Sequence, residues 1–131
     1  MKVLIVEDDF ASRKFIMKFM EDYAVCDVTV DGMEAVDAYM MAKDDGEPYD
    51  LICLDVMMPV MDGYQVLKTI RDMETQEGVA EEDRVKIIMM TALNQEQHVK
   101  KAFDMGCTVY CAKPLDLDRV KMVMQKLGLL Q

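Results

Sequence analysis

Short apolar runs alternate along the chain with longer stretches whose apolar positions recur every three or four residues. The runs are Val3 to Val6, Cys26 to Val30, Leu51 to Leu54, Val85 to Met90 and Thr108 to Cys111. The first, third and fourth are near-continuous rather than alternating, as strands covered on both faces must be. Five helical segments lie between and after them. Phe15, Ile16, Phe19, Met20 and Tyr23 fall on one face of the first, and Met33, Val36, Met40 and Met41 on one face of the second.

Boundary signals agree with this division. Asp31 and Glu34, and Asn94 and Gln97, have the spacing of a capping residue answered by a side chain three positions on. Asp62 is placed to cap the third helix and Asp116 the fifth, while Gly46 and Pro48 punctuate the second helix-to-strand link. The acidic stretch 76–84 reads as a longer surface loop before the fourth strand.

A strict (βα)5 alternation with right-handed crossovers predicts a three-layer α/β sandwich around a parallel sheet. The common doubly wound order for five units is 2-1-3-4-5, whose winding reverses between strands 1 and 3 and opens a crevice at their carboxyl ends. The 131 residues suffice for one domain and no second.

Composition removes several alternatives. The chain carries a net charge of −10 and no Lys/Arg cluster, which argues against a nucleic-acid binder. No apolar stretch approaches the roughly 20 residues of a membrane span, and the start MKVLIVEDD lacks a secretory signal, so a cytoplasmic protein is expected. Cys26, Cys53, Cys107 and Cys111 lie in or beside apolar runs and read as reduced core residues. The 15 methionines are expected mostly to pack.

The predicted crevice changes the picture more. Strand 1 ends in Glu7, Asp8 and Asp9, strand 3 in Asp55, strand 4 in Thr91, and strand 5 runs through Ala112 into Lys113. Any one of these has an ordinary explanation as a turn former, cap or solvated charge. Their convergence on one rim does not. Glu7, Asp8 and Asp55 on adjacent strands would repel one another and raise carboxyl pKa values unless a cation joins them. Mg²⁺ fits, being a hard ion that takes one or two carboxylates and bridges to phosphate, with no His or Cys present to favour a softer metal. Asp55 is then a candidate nucleophile toward phosphorus, with Mg²⁺ and Lys113 neutralising the incoming charge and Thr91 donating to a phosphoryl oxygen.

The motifs VEDD at 6–9, LDVMMPVMDG at 54–63, MTA at 90–92 and YCAKP at 110–114 closely resemble the receiver domains of two-component response regulators, in order and over essentially the whole chain. The resemblance implies that Asp55 accepts a phosphoryl group from a histidine kinase or histidine phosphotransfer protein. It implies that Glu7, Asp8, Asp55 and the backbone carbonyl of Met57 hold Mg²⁺, and that Asp9 is not a direct ligand. Thr91 and Tyr110 match the switch pair, Lys113 the phosphoryl-contacting lysine, and Lys113–Pro114 the step that is often cis. Phosphorylation would reshape the face of the fourth helix, fifth strand and fifth helix, which would bind an output protein or a second receiver.

Further expectations follow. Met57 and Leu93, apolar where many receivers carry polar side chains, predict slow loss of the phosphoryl group. Phe10, Arg13 and Met17 are expected as a stripe on the first helix, facing away from its core residues, that docks the kinase. His98 is expected to be solvated. With the chain ending at Gln131 after the fifth helix, a stand-alone receiver without an output domain is expected, catalysing only its own phosphorylation and dephosphorylation. The competing readings are a phosphorylation-independent adaptor on the same fold and a haloacid-dehalogenase-like phosphatase, whose second Asp is missing at Met57. Neither GxGxxG nor a P-loop follows the first strand, which disfavours nucleotide binding.

Overall fold

The computed structural model describes residues 1–92 and 96–131, with the side chain of Glu96 excluded. Its elements are β1 (Lys2–Val6), α1 (Phe10–Met20), β2 (Val25–Thr29), α2 (Gly32–Asp44), β3 (Leu51–Asp55), α3 (Gly63–Gln76), β4 (Lys86–Thr91), α4 (Glu96–Asp104), β5 (Val109–Ala112) and α5 (Leu117–Lys126). The five strands form one parallel sheet in the order β2-β1-β3-β4-β5. The expected doubly wound architecture is therefore the observed one. Part of the expected loop over 76–84 is a short 3-10 turn at Glu81–Asp83.

Strand side chains alternate between faces, so each apolar run feeds two cores. Leu4, Val6, Ile52, Leu54, Ile87 and Met89 pack with Ala35 and Tyr39 of α2, Val66, Leu67 and Ile70 of α3 and Ala102 of α4. Val3, Ile5, Leu51, Cys53, Ile88 and Met90 pack on the other face with Ile16 and Met20 of α1 and Val120 and Met124 of α5. Every residue of β3 is buried, so the sheet's centre runs through the strand that ends in Asp55.

Helix caps follow the acids. Asp31 accepts from the amide of Glu34 at 2.9 Å, and Asp116 accepts from those of Asp118 and Arg119. At α3 the cap is reciprocal: Asp62 accepts from the Gln65 amide at 3.0 Å while the Gln65 side chain accepts from the Asp62 amide at 2.9 Å. The expected Asn94 cap and Leu93 lie outside the described residues.

Two expected apolar faces are corrected. On α1, Ile16 and Met20 are buried, but Phe15 is exposed and Phe19 and Tyr23 are half-buried. On α2 the buried stripe is Gly32, Ala35, Tyr39 and Ala42, whereas Met33, Met40 and Met41 are 59%, 47% and 65% exposed. Close approach explains the second case. A Cβ at Gly32 would lie 2.4 Å from the carbonyl oxygen of Met61, so only small residues bring α2 this near. These three methionines turn outward, although most methionines of the chain do pack, as expected.

Candidate functional site

The crevice at the β1/β3 switch point is built by the two strand ends and what each is tied to. Beyond β1, the Glu7 amide donates to the Thr29 carbonyl of β2 at 3.1 Å, extending the ladder one residue and turning the Glu7 side chain inward. Asp9 is occupied as the N-cap of α1, accepting from the Ser12 amide at 2.9 Å, which also holds its carboxyl below the usual range. The three consecutive acids thus divide: Glu7 is fully buried, Asp8 lies exposed at the mouth, and Asp9 starts the helix.

Asp55 is 3% exposed at the tip of β3. Its surroundings are fixed by the next two links, Val56 N–H to the Met90 carbonyl at 3.0 Å and Gly63 N–H to the Val56 carbonyl at 2.9 Å. A Cβ on Gly63 would lie 2.4 Å from the Asp55 carbonyl oxygen, so glycine lets the first turn of α3 rest on the backbone that carries the aspartate. Pairing of Asp55 with Met90, and of Thr91 with Ala112, brings the ends of β4 and β5 alongside. The Lys113 amide donates to the Thr91 carbonyl at 2.8 Å, and the Lys113–Pro114 peptide is cis, as expected.

Lys113 closes the crevice from the β5 side. Its Nζ donates to Glu7 Oε1 at 2.7 Å and lies 3.4 Å from Asp55 Oδ1, which also accepts from the Met57 amide at 3.4 Å. Burial, with neighbouring Asp55 contributing, raises the Glu7 carboxyl from 4.5 to about 7 against the opposing effect of Lys113. Repulsion between acids, the expected cause, is thus secondary to desolvation. Burial depresses the Lys113 ammonium, yet its hydrogen bond to Glu7 and the charge of Asp55 leave it above its ordinary value.

Glu7, Asp8 and Asp55 each present a carboxylate oxygen, all within 4.8 Å of one another. Glu7 Oε2 is buried without a hydrogen-bond partner, an arrangement that costs about 1–3 kcal/mol unless something fills it. An all-oxygen donor set with one buried orphan oxygen fits a hard divalent cation. Thr91 is fully buried at the end of β4. Tyr110, half-buried on β5, hydrogen-bonds through its hydroxyl to that of Tyr64.

The stripe expected on the first helix faces away from the core only in part. Phe10 is 68% exposed, but Met17 is half-buried against the core beneath α1. Arg13 folds back, donating from Nη1 to the carbonyls of Glu7 at 3.1 Å and Asp8 at 3.4 Å. The apolar concavity on this side is instead an open groove of about 570 Å³ lined by Ala11, Phe15, Ile16, Pro114 and Leu115, with Lys113 at its edge. His98 is half-buried, against the expected solvation, and its carbonyl accepts from the Tyr64 hydroxyl at 3.4 Å.

Tyr64 is the residue that sequence reasoning missed. It stands next to Gly63, is 8% exposed, and carries Lys101 Nζ of α4 over its ring at 4.3 Å. Its place on the apolar stripe with Leu67 and Ile70 was the available signal, but nothing local revealed the hydroxyl's partners.

Fold and site together define a doubly wound α/β domain with a carboxylate cluster and a lysine at its switch point. The chain belongs to the response regulator receiver domain family, whose model matches residues 3–125. It is 33% identical over 130 residues to the chemotaxis protein CheY of Treponema pallidum, covering 95% of this chain and 83% of that protein. It is 32% identical over 130 residues to probable histidine kinase 2 of rice, covering 92% of this chain but 12% of the kinase, so it spans about an eighth of that relative's length.

Among solved structures, it resembles the Saccharomyces cerevisiae Ssk1 receiver domain co-crystallised with the histidine phosphotransfer protein Ypd1. The TM-score is 0.84 and identity 29%, over 98% of this chain and 88% of that one. It also resembles the CheX–CheY–BeF3–Mg²⁺ complex of Borrelia burgdorferi, with TM-score 0.81 and identity 30% over 95% and 87% of the respective chains. No helix among the described residues is long and apolar enough to cross a membrane.

Proposed function

We propose that this receiver domain is phosphorylated on Asp55 and that the modification switches a protein-binding face. The observation that carries the reading is Lys113 Nζ placed between Glu7 and Asp55, on a cluster whose three carboxylates converge within 4.8 Å. Glu7, Asp8 and Asp55, with the Met57 carbonyl, would hold Mg²⁺, as the related Borrelia complex contains Mg²⁺. Bound there, the ion supplies neutralisation of phosphoryl charge.

The chemistry is a phosphoryl transfer. An Asp55 carboxylate oxygen forms a bond to phosphorus as the bond from phosphorus to the imidazole nitrogen of a phosphohistidine breaks, and the leaving nitrogen takes up a proton from solvent. Lys113 sits where its ammonium can follow the charge from the carboxylate to the phosphoryl oxygens. Thr91, at the end of the neighbouring strand, donates its hydroxyl to one of those oxygens. Apart from this reaction and its hydrolysis, no turnover of an outside substrate is proposed.

The donor is a histidine kinase or histidine phosphotransfer protein, the latter class being the partner of the related Ssk1 receiver. Its approach is over the α1 side of the crevice, where Phe10 is exposed and the groove beside Lys113 opens. Movement of Thr91 and Tyr110 carries the signal to the α4–β5–α5 face, where Phe103 and Met122 are 48% and 54% exposed. An output protein or second receiver binds there, in the cytoplasm.

The test is incubation with acetyl phosphate and Mg²⁺ followed by intact-mass measurement. Wild type should gain one phosphoryl group and Asp55→Asn none. No adduct on wild type, or an equal one on the variant, rules the assignment out.

A further inference from the structure

We propose that Arg13 is a positioning residue for the cation site, setting where the carboxylates of Glu7 and Asp8 point without touching either. The inference rests on the reading of Glu7, Asp8 and Asp55 as that site. Its basis is that two consecutive carbonyls accept from this one side chain, whose own backbone amide makes the first helical bond of α1. Nη1 donates to the carbonyl of Glu7 at 3.1 Å and to that of Asp8 at 3.4 Å, and the backbone amide of Arg13 donates to the carbonyl of Asp9 at 2.9 Å.

The grip matters most for Asp8. Its exposed carboxylate makes no hydrogen bond or ion pair with the described residues, so its direction is set by the peptide units on either side. Those units are the ones Arg13 holds. Glu7 differs, because Lys113 fixes its side chain directly. Charge-assisted bonds to a backbone carbonyl are stronger than neutral ones, and a single guanidinium nitrogen here serves two adjacent carbonyls.

Arg13 forms no ion pair with any of the three acids, although it lies within reach of their backbone. It therefore leaves their oxygens free for a cation while contributing a second positive charge behind the loop. The Phe10 ring, 5.5 Å from the guanidinium carbon, covers its outer side. Exposed Phe10 is thereby given a second role, as a cover on Arg13.

The test is a calorimetric Mg²⁺ titration of the unphosphorylated protein for wild type, Arg13→Ala, Arg13→Lys and Asp8→Asn, with metal-free thermal unfolding measured in parallel. Arg13→Ala should weaken Mg²⁺ binding about tenfold, the usual loss when a partner that orients metal ligands is removed. Arg13→Lys should recover part of it. Phosphorylation by acetyl phosphate should return to within about twofold of wild type once Mg²⁺ is saturating, because the lost interaction acts on metal affinity. If Arg13→Ala fails to fold, Arg13→Lys carries the test, with several-fold weaker binding expected. An affinity unchanged within twofold in the folded variant overturns the inference while the site stands, provided wild type binds and Asp8→Asn does not. A wild type that binds no Mg²⁺ overturns both.

Discussion

Lys113 holds one carboxylate oxygen of Glu7 at 2.7 Å while the other is buried without any hydrogen-bond partner. The pair is incomplete in the metal-free protein, and pH reports it. The Glu7 carboxyl titrates near 7 in the fold against an ordinary 4.5, so between those values the folded state binds a proton that the unfolded chain has lost. The contribution of this group to stability then falls as pH rises through that window and is flat on either side. The raised Lys113 value acts only in alkali, where its contribution is lost as pH climbs through its folded pKa.

Urea unfolding in EDTA should show wild type losing about 3 kcal/mol more than Glu7→Gln between pH 4.5 and 8. Mg²⁺ at a hundredfold excess over its dissociation constant should restore about 2.7 kcal/mol at pH 8. Equal pH slopes in the two proteins would remove Glu7 as the source.

The loop from β3 to α3 contains a second tension. Val60 has φ of 68°, and the Met61 amide donates to the Pro59 carbonyl at 2.8 Å across it. This is a three-residue turn of the rarer hand, strained for any residue with a Cβ and more so for a β-branched one. The side chain is 85% exposed and so gains little by packing. Val60→Asn, which tolerates positive φ, should stabilise the protein by about 1 kcal/mol and raise Tm by about 3 °C. A lower Tm in differential scanning calorimetry would mean that the valine packs in a way its exposure hides.

Tyr64 ties three elements with one hydroxyl and one ring. It accepts from Tyr110 of β5, donates to the His98 carbonyl of α4, and underlies Lys101 of α4. Tyr64→Phe keeps the ring and removes the hydroxyl. Global stability should fall by about 1 kcal/mol, the net worth of a hydrogen bond. Amide hydrogen exchange over 96–104 should quicken selectively, because α4 loses its tie to α3. Uniform exchange across the chain would assign the hydroxyl a purely global role.

Most of the sheet was legible because its central strands are buried on both faces and must be continuously apolar, and because Glu7, Asp55 and Thr91 each follow such a run directly. The helix faces were less so. On α2 the hydrophobic weight of Met33, Met40 and Met41 outvoted the small residues Gly32, Ala35 and Ala42, although closeness to α3 rewards small size over hydrophobicity. Polar residues that look solvated in sequence were hidden for a related reason. Glu74 is 1% exposed, accepting from Arg71 at 2.6 Å and from the Val85 amide at 2.8 Å, partners supplied by its own helix and by the start of the next strand. Arg13 likewise gives no local sign that its side chain turns back to the strand end.

Met57 is expected to govern how long the proposed signal lasts. Its amide faces Asp55 at 3.4 Å, yet its side chain is 59% exposed and offers no group able to orient water toward phosphorus. Hydrolysis of the aspartyl phosphate is therefore expected to be slow, with attack left to unguided solvent. Met57→Asn adds a donor and an acceptor at the mouth without disturbing the buried carboxylates, since the native side chain packs little. Dephosphorylation should accelerate about tenfold, equivalent to about 1.4 kcal/mol off the barrier. The measurement is the decay of phosphorylated protein by intact mass after removal of acetyl phosphate, with Mg²⁺ held constant. An unchanged decay, or a wild-type half-life of seconds, would show that water is positioned by some other group and that Met57 does not set the lifetime.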